Sequence, residues 1–241
     1  MNPAEDLWSR HHPPAGYPPG VLAVPSAIPG VAFFPGGYGL WRPDVRSPLP
    51  EFPIGGVMVL GHDFHSESGY RASLQRGREA ATQPTWRVLL ALLDRAQVDL
   101  SRCFFTNVYM GLRKGEGTTG PFPGASDETF VDHCVRFLED QVRAQRPALI
   151  LTLGVNVPPL LARLSPGLQD WATGRGLKHL DQVGAVRPRV QIGVVRPLET
   201  TVVALTHPSM RHASVRHRRY QGESGDAAEL CMLRDALRFS A

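Results

Sequence analysis

Cysteine is scarce in this chain: Cys103, Cys134 and Cys231 lie far apart with no CxxC spacing. They supply neither a disulfide framework nor a four-thiolate zinc or cluster site, and read as small buried apolar residues. Long hydrophobic runs are missing too. No stretch approaches the roughly 20 apolar residues that span a bilayer, and the N-terminus has no basic start followed by an apolar segment. Neither a membrane span nor a secretory signal is expected, and the cytosol is the expected compartment. A large charge excess is also lacking: the net charge of +4, with a pI near 9.2, favours an anionic partner only weakly. No internal repeat is present.

What is present fits one substantial core. The chain has 241 residues, and 12 of its 22 prolines fall in residues 1–53, beside PPAGYPPG and FFPGGYG. That density argues against regular helix or central strand there. Residues 1–53 are therefore expected to form a proline-rich extension with its first twenty or so residues loose. Its apolar part, 23–34 and 38–41, is expected to lie on a domain spanning 54–241.

Along that domain, short apolar runs alternate with helical patterns. Val57 to Leu60, Cys103 to Tyr109 and Ala148 to Leu153 are too short for typical helices and read as buried strands. Residues 190–195 and 200–205 are two further runs, forming either a hairpin or successive strands. Helices are predicted over 84–98, over 126–145 with Ser126 at its start, over 157–164 and over 226–239. Residues 70–83 read as a loop or broken helix, and 111–124, with five glycines and two prolines, as a loop. Strands alternating with helices predict a three-layer α/β/α fold around a mostly parallel sheet.

Polar residues occupy equivalent places in that scheme. His62, Asp63, Phe64 and His65 follow the first strand, Asn107 ends the second, and His207 follows the last. Carboxyl ends of parallel strands share one edge of a sheet, where ligands bind in open α/β folds. Next comes a loop carrying Arg211, His212, Arg216, His217, Arg218 and Arg219 without an acid. The bland alternatives are a surface turn rich in His and Asp, a loop-capping aspartate, and an asparagine that merely tolerates its turn.

These segments resemble the uracil-DNA glycosylase superfamily. Gly61-His62-Asp63-Phe64-His65 is similar to the water-activating motif often written GQDPYH, and Thr106-Asn107-Val108 to the strand that supplies a base-reading asparagine. Leu149 to Leu161 resembles the family's strand, glycine and helix. Thr206-His207-Pro208-Ser209 resembles its histidine and DNA-inserting loop, often HPSPLS. The resemblance covers roughly residues 54–220 and implies excision of uracil or a related deaminated base from DNA. It assigns catalysis to Asp63, which activates water, and to His207, which stabilises charge on the leaving base. It assigns the base to His62, Phe64, His65 and Asn107, whose amide matches N3–H and O4 of uracil but not cytosine. It assigns DNA to Ser209, Met210, Arg211, Arg216, Arg218 and Arg219, since an extruded base leaves a gap to fill and phosphates to hold.

The chain departs from the family pattern as well. Phe64 stands for a proline, and His65 stands where a tyrosine bars the thymine methyl, so exclusion of thymine does not follow from the resemblance. The iron-sulfur cysteines are absent, and the aromatic that stacks on the base is unassigned between Tyr70 and Trp86. The expected partner is DNA containing a damaged base, bound by a monomer with no membrane, metal or cofactor. Two alternatives are a member of the fold that binds nucleic acid without cutting it, and a metal-dependent hydrolase using His62, Asp63 and His65 with His207.

Overall fold

A computed structural model describes residues 3–24, 51–76 and 79–240. The chain opens with helix α1 (Pro3–Arg10) and the short strand β1 (Val21–Leu22), followed by β2 (Val57–Gly61), α2 (Glu67–Arg76), α3 (Pro84–Arg95) and β3 (Cys103–Asn107). Next come the short β4 (Leu112–Arg113), then α4 (Glu128–Gln145), β5 (Leu149–Leu153), α5 (Val157–Ala162) and α6 (Gly176–Val183). The hairpin of β6 (Val186–Ile192) and β7 (Leu198–Leu205) leads to the one-turn α7 (Arg211–Ser214), the small strands β8 (Arg219–Tyr220) and β9 (Glu223–Ser224), and the closing helix α8 (Gly225–Phe239).

Five strands form the central sheet in the order β3-β2-β5-β7-β6, the first four parallel and β6 antiparallel at the edge. Helices surround this mixed, mostly parallel sheet in a three-layer α/β/α arrangement. Every residue of β2, β3 and β5 is buried, as a sheet covered on both faces requires, and this is why these strands read as unbroken apolar runs. From β2 the chain moves to β3 on one side and then to β5 and β7 on the other. The strand order therefore reverses at β2, and in open α/β sheets the crevice that binds ligands lies at the carboxyl ends of the strands beside such a point.

Several boundaries differ from the sequence reading. Helix α4 is capped by Asp127, whose carboxylate accepts the Phe130 N–H at 3.0 Å, while Ser126 belongs to the preceding turn. Of residues 70–83, read as a loop or broken helix, the first part is helical: α2 runs from Glu67 to Arg76, and Tyr70 and Ser73 bury one of its faces. The 190–205 region is a hairpin, with a register shift between Arg187 and Val190.

Residues 3–20, expected to be loose and without regular helix, include α1 and are packed on the domain. Leu7 is fully buried, Arg10 pairs with Asp140 of α4 at 2.9 Å, and the His133 imidazole donates to the His11 carbonyl at 3.0 Å. Of the apolar part expected on the core, 23–34 and 38–41, only residues 23 and 24 are described, and Val24 is buried; the rest lies outside the described residues.

Candidate active site

Two glycines let the polar groups at the crevice approach the backbone. Gly61 ends β2 in register with Asn107 of β3, and the strands stay paired one step further through Val108 N–H to Gly61 O at 3.0 Å. A Cβ on Gly61 would stand 2.2 Å from Asn107 Oδ1, so only glycine allows the carboxamide to lie across this strand end. That carboxamide makes no hydrogen bond to another described residue, which leaves its donor and acceptor for a ligand. Past β5, Gly154 adopts a positive φ of 88°, and a Cβ there would stand 3.0 Å from that of His207.

Asp63 is the most heavily bonded group at this edge. Its side chain is 12% exposed and takes four donors. The His65 N–H (3.1 Å) and Arg113 Nε (3.3 Å) reach Oδ1, while Arg113 Nη2 (2.9 Å) and His62 Nδ1 (2.9 Å) reach Oδ2. Burial alone would raise its pKa, but hydrogen bonds and charge from His62 and Arg113 outweigh it and hold the carboxyl well below the usual range. Asp63 therefore stays ionised. His65 contributes its N–H because its backbone turns into the left-handed region, at φ 76°. Its imidazole is pushed below the ordinary histidine value by burial, with Asp63 opposing and Arg113 adding to the shift.

Arg113 escaped the sequence reading. It is buried, donates to the carbonyls of Thr119, Gly120 and Pro121 at 3.0 to 3.2 Å, and lies 5.5 Å above the Phe122 ring. It comes from the glycine-rich loop 50 residues beyond Asp63, and no spacing or pattern in the sequence joins the two.

His207 follows β7, half-buried, with Nδ1 2.8 Å from Ser209 Oγ. Burial pushes it below the usual histidine value; Asp63 opposes that shift and His62 adds to it, so the three groups act on one another. An imidazole of this kind is neutral at neutral pH and can donate a hydrogen bond without carrying charge. His62 stands edge-on to Tyr109 with centroids 5.0 Å apart.

The remaining candidates divide. Phe64, expected at the base, is buried edge-on to Tyr70 at 6.1 Å and belongs to the core rather than the crevice. Tyr70 and Trp86, the two candidates for stacking, are buried as well. Met210 is 52% exposed beside His207, and Arg216 and Arg219 are exposed.

Arg211 and Arg218 are not free to hold phosphates. Arg218 is fully buried against Glu229 and Asp181, both at 2.9 Å, and donates to the Ala204 carbonyl at 2.8 Å. Arg211 is buried against Asp226 and Glu229. Glu229 also accepts the Thr206 N–H at 2.6 Å, so one carboxylate holds both ends of the segment carrying His207 and Met210. Neither the acids nor their convergence showed in the sequence, where these arginines stood in a run without an acid.

Among the described residues no group of three or more His, Cys, Asp or Glu side chains is placed to hold a metal ion. His62 and Asp63 bond to each other, and both oxygens of Asp63 are filled by N–H donors. No helix of the described residues is long and apolar enough to cross a membrane. No family model matches the chain, and no curated protein matches it.

Proposed function

We propose that this protein is a monofunctional DNA glycosylase that hydrolyses the N-glycosidic bond of uracil or a related deaminated base, without metal or organic cofactor. One observation carries the reading: an ionised carboxylate, an unbonded carboxamide and a neutral imidazole share the edge where the strand order reverses. Cleaving this bond develops positive charge on the sugar and negative charge on the base. Asp63 supplies fixed negative charge on the sugar side, and His207 donates a hydrogen bond to the carbonyl where the leaving electrons collect. Asn107 reads the base edge, and its freedom from protein partners is what such a role needs. Met210 fills the gap left by the extruded base, while Arg216 and Arg219 hold phosphates. A monomer working in the cytoplasm belongs to the same proposal.

The test is a labelled oligonucleotide containing one uracil, single-stranded and in a duplex, incubated with the protein and treated with alkali. Strand scission at the uracil is expected, unchanged by a chelator. Parallel strands with hypoxanthine, xanthine and a thymine mismatch define the preferred base. A second reading, a binding module that does not cleave, is favoured by the Arg113 ion pair, which neutralises Asp63. A tight, salt-dependent complex without scission of any of these strands supports that reading and rejects the first.

A further inference from the structure

We propose that the proton of the attacking water goes to Nε2 of His62, with Asp63 and Arg113 as positioning residues behind it, an assignment that rests on the base-excision reading above. An ionised carboxylate has about four lone-pair directions, and four N–H donors already occupy those of Asp63. A water bound to Asp63 would have to displace one of them. The least dispensable is Arg113, whose guanidinium is fixed by three carbonyls and forms a two-point ion pair with the carboxylate. That pairing also makes Asp63 a poor proton acceptor.

His62 has the complementary properties. Ionised Asp63 can only accept, so the hydrogen on the His62–Asp63 bond resides on Nδ1 and the lone pair on Nε2. Nε2 has no hydrogen-bond partner among the described residues, and the ring is 17% exposed at the crevice. Tyr109 fixes the ring from the side, and the Asp63 carboxylate fixes its tautomer and stabilises the imidazolium once formed. His207 is less suited because its Nδ1 is taken by Ser209, and a role as donor to the base requires the proton on its other nitrogen. In the step itself, the water oxygen bonds to C1′ while the bond from C1′ to the base breaks, its electron pair leaving with the base. One water proton moves to Nε2 and passes through solvent to the released base anion.

The experiment measures single-turnover base release from a uracil oligonucleotide by the full chain and by His62→Ala, His62→Gln and Asp63→Asn, each with and without added imidazole. DNA affinity is measured alongside by fluorescence anisotropy. His62→Ala is expected to lose about 10²- to 10⁴-fold in rate with little change in affinity. Imidazole is expected to restore about tenfold or more of that loss in proportion to its neutral form, a response that a packing role would not produce. His62→Gln, which can still donate to Asp63, stays slow. A rate for His62→Ala within a few fold of the unaltered protein overturns the inference and leaves base excision standing. A loss that imidazole does not repair, or that His62→Gln repairs, does the same. An unaltered protein that releases no base overturns both.

Discussion

Burial and hydrogen bonding oppose each other at Asp63, and hydrogen bonds and charge from His62 and Arg113 prevail. Removing the charge while keeping the shape should cost turnover far more than binding. Asp63→Asn is expected to slow base release by more than about a hundredfold and to leave the DNA dissociation constant nearly unchanged, as read by single-turnover kinetics and anisotropy. At Glu79 the balance runs the other way. Burial raises its carboxyl to about 7 against the Ser73 hydrogen bond, the Arg76 charge and Trp86. A carboxyl whose pKa is higher in the folded chain loses stability as pH rises from the unfolded value to the folded one, and the penalty is then constant. Glu79→Gln is therefore expected to be more stable than the unaltered chain by about 3 kcal/mol at pH 8 and no different near pH 4, measured by urea unfolding at both values.

The segment from Thr206 to Arg211 owes its shape to charges beneath it. Glu229 of α8 receives Thr206, Arg211 and Arg218, and Asp181 of α6 faces Arg218 from the other side. Replacing Arg218 with alanine leaves the buried Asp181 carboxylate without its cation and Glu229 with Arg211 alone. We expect Arg218→Ala to lose about 3 to 5 kcal/mol in chemical denaturation, whereas Arg219→Ala, at an exposed position, should change stability by less than about 0.5 kcal/mol. From sequence the two arginines are neighbours of one type in one basic run, and only the positions of Asp181 and Glu229 in other elements separate them. Helix α4 was legible for the opposite reason. Its apolar stripe repeats within the segment itself, so the pattern carried the element and missed only the choice of Asp127 over Ser126 as cap. Helix α2 was harder to read because few of its residues are apolar, and the burial that decides it comes from neighbouring elements.

At the scale of the molecule, the sheet was readable because parallel strands covered on both faces need unbroken apolar runs, and chain order then put Asp63, Asn107 and His207 at equivalent ends. Their partners were not readable. Arg113 reaches Asp63 from a loop whose glycines signal only irregular chain, and α1 packs on α4 through contacts that no local pattern encodes. Leu7, buried under that helix, gives a direct measure of its contribution: Leu7→Ala is expected to cost about 2 to 4 kcal/mol in urea unfolding. On the proposed base-excision reading, the modest net charge places DNA affinity in local positive groups rather than an overall field. Replacing Arg216 and Arg219 together should weaken binding similarly for every sequence and reduce the slope of log affinity against log salt by about 2, measured by anisotropy titrations between low and physiological salt.

Arg113 does not stand alone in its strand. It pairs with Val21 in the small ladder of β1 and β4, the next residue, Lys114, bonds to the Gly20 carbonyl at 3.0 Å, and its own N–H bonds to the His65 carbonyl at 3.1 Å. A protease cut ahead of position 25 that frees the leading peptide would therefore act at a distance, loosening the cation that balances the crevice. Backbone pairing thus braces the strand that carries Arg113 with residues some ninety positions earlier in the chain.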